Sequence, residues 1–385
     1  MTTKYEEVGV DARKKGIEVF ESSIENLFPT AFCPIGPDPE NENYGIVLHT
    51  DGAGSKPIQN YLHWKESGDI SWFESIGRDV LAMNIDDLLC VGAHPISFVD
   101  YIAINKKLFP KKEVLSALNN GFKKILDLLR KYNIKISFLG GETADLPDQI
   151  KTLDVSGTIF GRVKLSRAIT GEKIKGGDKI LGFRSGGQTE YEEEKNSGIM
   201  CNGITLARHS LMKKKYEEKY PEISGAEKGY YGNFDYDEHI EDLNMTVGEA
   251  IASPTRIYAP ALVEILKKHR NHITGIVHNT GGGQTKSLAL GENIHYIKND
   301  LIDPDPVFHL IKKESGESWR AMFEDFNMGT GLEIIVEPEY AEEVLSIADE
   351  FDLEGKKIGS CESSEKGNAV TINSKFGNFK YEERD

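Results

Sequence analysis

Two hydrophobic periods alternate along this chain. Strand-like apolar runs fall at 44–50, 96–104, 134–139, 153–163, 180–183, 272–277, 331–336, 356–361 and 369–372, with segments of helical spacing between them. The clearest helix is predicted over 111–132. There Val114, Leu118, Phe122, Ile125, Leu126 and Leu129 form one apolar face opposite a lysine-rich one. Further helices are expected after a loop in 197–211, from Pro254 to about residue 268 with the proline near the first turn, and over 339–351. A polar arm with an amphipathic helix is expected within residues 1–30, a surface insertion at 213–244, and a frayed charged tail. Strands alternating with helices predict mixed α/β layers. No GxGxxG opens a βαβ unit, which argues against a dinucleotide fold.

The stretch 76–100 breaks the amphipathic rule. Ile76, Val80, Leu81, Met83, Ile85, Leu88 and Leu89 cover most directions of a helix, so that helix is expected to be buried. It nevertheless carries Asp79, Asp86 and Asp87. An unpaired carboxylate in an apolar shell costs several kcal/mol, so something cationic must meet these acids. Asp79 and Asp86 share a face with their Cα atoms roughly 10 Å apart, too far to grip one ion side by side. Metal ions and internal salt bridges, with Arg78 or a distant lysine, both answer the need. Gly92 and Pro95 then stop the helix.

The length of 385 residues suggests two domains, 1–170 and 171–385, with the break in the polar, glycine-bearing stretch 166–178. Charged residues make up 28% and hydrophobic ones 39%, as expected for a soluble globular protein. The net charge of -16 argues against nucleic acid or an anionic membrane as partner. The first residues have no apolar signal core, and no long apolar run suits a membrane span. Cys33, Cys90, Cys201 and Cys361 are scattered without a CxxC, so a reducing, cytoplasmic location without disulfides or zinc is expected.

Three glycine-bearing junctions follow strands. Asp51-Gly52-Ala53-Gly54-Ser55-Lys56 sets an acid and a lysine around small residues that let backbone N–H groups approach a phosphate, without the spacing of a Walker A loop. Gly140-Gly141-Glu142-Thr143-Ala144-Asp145 offers hard oxygen ligands of the kind Mg²⁺ prefers. Thr280-Gly281-Gly282-Gly283 suits an anion nest. Each alone is also an ordinary tight turn.

Taken together, TDGAGSK (50–56), the 76–101 stretch, GGETADLPD (140–148), the NG of MCNGITLAR (200–208), SPTRIYAP (253–260), HNTGGG (278–283) and FNMGTGLEIIV (326–336) resemble the aminoimidazole ribonucleotide synthetase family, also called phosphoribosylformylglycinamidine cyclo-ligase. The resemblance runs in family order over nearly the whole chain. It implies ATP-dependent closure of formylglycinamidine ribonucleotide to aminoimidazole ribonucleotide in purine biosynthesis, with Mg²⁺ balancing the transferred phosphoryl group. It further implies a homodimer whose N-terminal domains join in a barrel-like core, a C-terminal α/β domain, and an active site in the cleft between domains. Carried over by motif, Asp87, Glu142 and Asn202 are the expected catalytic residues. Asp51, Gly52, Gly54, Lys56, Asp79, Gly140, Gly141 and Thr143 belong to the ATP side. Arg256 and Thr280–Gly283 belong to the substrate side, and Asp51, Asp87 and Glu142 are the expected metal ligands.

The chain departs from the family pattern at several positions. Met200 and Cys201 stand where many members carry a histidine ahead of Asn-Gly, and Ser23 lies where a basic residue is common. Gln284-Thr285-Lys286 replaces an aromatic continuation, and Asp86 replaces a common asparagine. Lys286 and Arg256 are the candidates to compensate on the substrate-phosphate side. Two alternatives stay open: another ATP-using kinase or synthetase of the same superfamily, and a non-catalytic nucleotide-binding regulator.

Overall fold

The computed structural model describes residues 3–10, 16–225 and 228–382. It is an α/β protein built on two sheets. In the first, Gly36–Pro37, Tyr44–Gly52, Leu153–Lys164, His94–Ile104 and Ser137–Asp145 lie side by side in that order. All neighbours are antiparallel except the last pair. That parallel pair is joined by the helix Lys111–Lys131, whose buried face is the predicted one. The sheet is open at both edges within one chain.

The second sheet orders Ile273–His278, Thr330–Val336, Lys179–Arg184, Gly355–Ser363, Ile294–Lys298, Ala369–Ser374 and Gly377–Glu382. The helices Ala259–His269 and Ala341–Asp349 pack together on it. The charged tail expected to fray instead forms its last strand, with Tyr381 buried and its hydroxyl donating to the Arg320 carbonyl at 2.9 Å.

Between the sheets lies the helix Glu74–Cys90. It packs on Tyr44–Gly52 and Leu153–Lys164 on one side and on Ile273–His278 and Ala259–His269 on the other. Surrounded in this way, it has no solvent face, which explains an apolar pattern all the way round.

Several expected elements form differently. Residues 140–145 are not a loop but the second half of the edge strand Ser137–Asp145. A bulge lies opposite, between Phe98 and Asp100, and a Cβ on Gly141 would stand 2.1 Å from the Asp100 carbonyl oxygen, so only glycine fits there. The helix expected from Pro254 starts at Ala259, because residues 253–258 are spent on the buried acids described below. The 213–244 insertion buries Tyr216, Tyr220, Ile223 and Tyr230. It packs on the helix Lys56–Ser67, where Tyr220 meets Tyr61 edge to face, and so is more than a surface excursion. The N-terminal segment holds a short helix Lys4–Glu7 and a 3₁₀ turn Ile17–Ser23 in place of an amphipathic α-helix; residues 11–15 of that expectation lie outside the described residues.

The outward face of the first sheet is apolar and uncovered. Leu48 is 63% exposed, Leu139 69%, Tyr101 40% and Val99 38%. All four cysteines are buried and free, and no described helix is long and apolar enough to cross a membrane.

Candidate active site

The three aspartates of the central helix reach three different environments. Asp79 is fully buried and meets Lys56 Nζ at 2.7 Å; the same oxygen accepts from the Thr255 N–H and hydroxyl, each at 2.7 Å. Lys56 also donates to the Ser253 carbonyl at 2.7 Å and is itself fully buried. Lys56 and Asp79, expected on the ATP side, are paired with each other here. They pair and tie the first domain to residues 253–255, the distant-lysine solution to a buried acid, although Asp79 Oδ2 is a buried atom with no partner among the described residues.

Asp86 has no cation. The Tyr258 N–H donates to its Oδ2 at 2.9 Å, and its Oδ1 is buried with no partner among the described residues. Burial pushes its carboxyl well above the usual range, against the pull of the Tyr258 bond and with the Asp87 charge adding to the rise.

Asp87 is the charged member. His278 Nδ1 lies 2.6 Å from its Oδ1, and His49 Nε2 3.2 Å and Lys286 Nζ 3.7 Å from its Oδ2. Burial opposes ionisation, but Lys286, His278 and His49 together outweigh it and hold the carboxyl well below its ordinary value. On His49, burial works against protonation, and the contact with Asp87 overcomes it to raise its titration. With Nδ1 of His278 turned to Asp87, its Nε2 is a buried atom with no partner among the described residues. Lys286 also donates to the Thr280 hydroxyl and lies 4.5 Å over the Phe32 ring.

Two loops meet beside this cluster. Asp51 ends the strand Tyr44–Gly52 on the same face as Val47 and His49, and its Oδ1 accepts from Gly52 N–H at 2.8 Å. Gly54 follows in the left-handed region, close to the Cys201 carbonyl. Ser55 bonds Thr205 at 2.8 Å, so the loop abuts the start of the helix Ile204–Leu211, just after Asn202. The second loop is Thr280–Gly283. A Cβ on Gly281 would stand 3.9 Å from Asn202 Oδ1, and Asn202 Nδ2 is a buried atom without a partner among the described residues. Gly283 has a φ of 51°, and a Cβ there would meet the Phe326 and Phe323 carbonyls at 2.4 and 2.5 Å. The loop is only partly an anion nest. Thr280 and Gly283 N–H groups bond within it, whereas Gly281 and Gly282 present theirs without a described acceptor.

The remaining expected residues lie elsewhere. Arg256 is buried, pairs with Glu192 at 2.6 Å and donates to the Arg184 and Gly186 carbonyls at 2.9 and 2.6 Å. It braces the fold rather than presenting a free cation to a substrate phosphate. Gly140, Gly141, Glu142 and Thr143 sit on the edge strand, where Glu142 is exposed and paired in register with Tyr101. From Asp51 through Gly157 and Asp100 to Gly141 are three strand spacings, about 14 Å along the sheet. Among the described residues no three His, Cys, Asp or Glu side chains are close enough to hold a metal. Asp51, Asp87 and Glu142 therefore do not make one magnesium site within a chain, and Asp87 already has its counter-charges.

Sequence reasoning passed over His49 and Glu192. His49 was accessible, since alternation in a strand puts residues 47, 49 and 51 on one face with the acid of the glycine loop. Glu192 lies in a charged run that reads as a mobile loop, yet it pairs with both Arg256 and Arg78.

These features define a two-domain α/β protein with a polar cluster of two histidines, a lysine and aspartates between its sheets. Residues 35–163 match the AIR synthase related protein, N-terminal domain, and residues 175–372 the corresponding C-terminal domain. The chain belongs to this AIR synthase family. It is 34% identical over 318 residues to a phosphoribosylformylglycinamidine cyclo-ligase of Methanocaldococcus jannaschii, covering 82% of this chain and 78% of that one. It is 35% identical over 313 residues to one of Pyrococcus furiosus, covering 80% and 77%. By fold it is similar to the hydrogenase maturation protein HypE in complex with ATP (TM-score 0.54, 15% identity, 88% and 85% of the two chains). It is also similar to T. maritima PurL complexed with ADP (TM-score 0.51, 14% identity, 96% and 47%).

Proposed function

We propose that this protein is an ATP-dependent phosphoribosylformylglycinamidine cyclo-ligase. In that reaction the formyl oxygen of formylglycinamidine ribonucleotide takes the γ-phosphoryl group of ATP. The amidine-side nitrogen then attacks the activated carbon, and inorganic phosphate and ADP leave with aminoimidazole ribonucleotide. The observation that carries the reading is the meeting, between the two domains, of the Asp51–Gly54 loop, the Asp87 cluster and the Thr280–Gly283 loop with Asn202 beside it.

The residues divide as follows. Asp87 is held ionised and raises the titration of His49, which favours His49 as the proton donor to the leaving oxygen. His278, fixed by Asp87 at Nδ1, offers Nε2 to the amidine side. Lys286 with the Gly281 and Gly282 amides meets the substrate phosphate, and Asn202 orients the substrate. This takes the place of the histidine absent at position 200. Asp51, with an oxygen not taken by Gly52, is the residue that would hold Mg²⁺ together with nucleotide oxygens; bound there, the ion would neutralise triphosphate charge. Glu142 reaches the nucleotide in this reading from the sheet edge, and the homodimer forms through the uncovered face bearing Leu48, Val99, Tyr101 and Leu139. The domain boundary is taken near residue 170, in a cytoplasmic enzyme.

The test is ADP release by the purified protein with Mg-ATP, scored alongside aminoimidazole formation, with and without formylglycinamidine ribonucleotide. Matching, substrate-dependent ADP and imidazole are expected. ADP release indifferent to that substrate would overturn the assignment.

A further inference from the structure

Three of the chain's buried cations are neutralised by carboxylates. Lys56 has Asp79 at 2.7 Å, Arg256 has Glu192 at 2.6 Å, and Lys298 has Glu333 at 2.5 Å. A group of more accessible cations has no such partner. The connector between the two sheets passes the start of the strand Ile273–His278, and a recess of about 30 Å³ lies between them. Its lining includes Arg167, Thr170, Lys173, Arg270 and Asn271. Among the described residues, none of these three cations has a carboxylate within the 4.0 Å of an ion pair. The acid next to them in sequence, Glu172, is exposed and accepts from the Thr170 hydroxyl at 2.9 Å.

Arg270 is the inner member. It donates to the Gly92 carbonyl at the end of the acidic helix, and its Nε is a buried atom with no partner among the described residues. Burial, and then the Arg167 charge, push it down to about 10. Two guanidinium groups thus face one polar recess and repel each other, with a buried donor unused.

We propose that this recess binds one tetrahedral oxyanion of the phosphate class, held by Arg270, Arg167 and Lys173. Guanidinium forks match phosphate oxygens, and the small recess has no room for a nucleotide. The site joins three parts of the molecule. Ile169 N–H on the connector bonds the Val91 carbonyl at 3.1 Å, Arg270 reaches Gly92, and Ile273 begins the strand that ends at His278. A bound oxyanion therefore clamps the connector to both domains at the far end of the strand that carries His278 to Asp87.

The test compares thermal midpoints in inorganic phosphate and in chloride at matched ionic strength, for the wild type and for Arg167→Gln/Lys173→Gln. Both altered side chains are exposed, so the variant is expected to fold and, in chloride, to melt at or above the wild type because the repulsion is gone. Phosphate is expected to shift the wild type by about 2 °C more than the variant. Arg167→Lys is expected to keep most of that difference. Subtracting the variant removes general salt effects and any phosphate held in the catalytic cleft. Equal shifts in both proteins overturn the proposal, and so does a response to ribose 5-phosphate without one to inorganic phosphate. Crystals of the wild type soaked in tungstate give the second measurement: density between Arg167 and Arg270 supports the site, and its absence there overturns it.

Discussion

Replacing Asp86 with asparagine is expected to stabilise this protein, by an amount that grows with pH. In the folded chain Asp86 meets the backbone N–H groups of Tyr258 and Ala259, pairs with no cation, and has a buried oxygen without a hydrogen-bond partner among the described residues. Burial raises its titration well above that of an unfolded aspartate. The sign follows from proton counting. Below an unfolded pKa of about 3.9, both states hold the proton and Asp86 contributes no pH dependence. Above it, the native state keeps a proton that the unfolded chain has released, so stability falls as pH rises until the folded group itself ionises. The limiting slope for one proton is about 1.4 kcal/mol per pH unit. Asparagine keeps the acceptor for the Tyr258 N–H, fills the same volume and carries no such slope. Urea unfolding of both proteins at several pH values between 5 and 8 measures the difference directly. Titrations common to both, including those of Asp87 and the histidines, largely cancel in the subtraction. The Asp86→Asn variant should gain on the wild type with each pH unit, by up to that slope. Two stability curves that stay parallel from pH 5 to 8, whatever their offset, would refute the account of Asp86 as a carboxyl held neutral by burial.

Three further outcomes are expected. Lys56→Met strands Asp79 as a buried, unpaired charge and should cost about 3–5 kcal/mol in urea unfolding, with Lys56→Met/Asp79→Asn recovering a large part. Lys286→Ala should raise the KM for the ribonucleotide by about tenfold or more and move the acid limb of the pH–rate profile upward, because a cation that holds Asp87 down is gone; an unchanged KM and an unchanged acid limb would remove Lys286 from the site. Leu48→Asp with Leu139→Asp should shift sedimentation from dimer to monomer if the bare sheet face is the subunit interface.

The parts legible in the sequence are those where period and burial agree. The helix Lys111–Lys131 has one wet and one dry face, and its hydrophobic period is enough to find it. The helix Lys56–Ser67 was missed for the opposite reason: Lys56, Gln59, Asn60 and His63 are polar yet buried, so its inner face does not read as apolar. Ile294–Lys298 alternates buried and half-buried residues, but it is too short to stand out from its glycine- and asparagine-bearing surroundings. For the site, motif order located the loops but could not supply partners. Asp79, Asp86 and Asp87 are one short stretch of sequence, and only tertiary structure assigns Lys56 to the first, a bare amide to the second and two histidines to the third.

That assignment also separates what the helix does. Thr255 binds Asp79 and Tyr258 binds Asp86, so the same short segment of the C-terminal domain closes over both buried acids. Such a segment cannot be helical there, because its N–H groups are turned to carboxylates of another domain. The next residue of the acidic helix brings Asp87 to His278, again across the domain boundary. The contacts of Asp79 and Asp86 join the domains without drawing on the residues of the site, and only that of Asp87 belongs to it. Stability and catalysis should therefore come apart under mutation. Changes at Asp79 or Asp86 should move the unfolding midpoint first, while Asp87→Asn should reduce kcat with a smaller effect on unfolding, since an amide still fits between His49 and His278 but no longer carries the charge that raises the titration of His49.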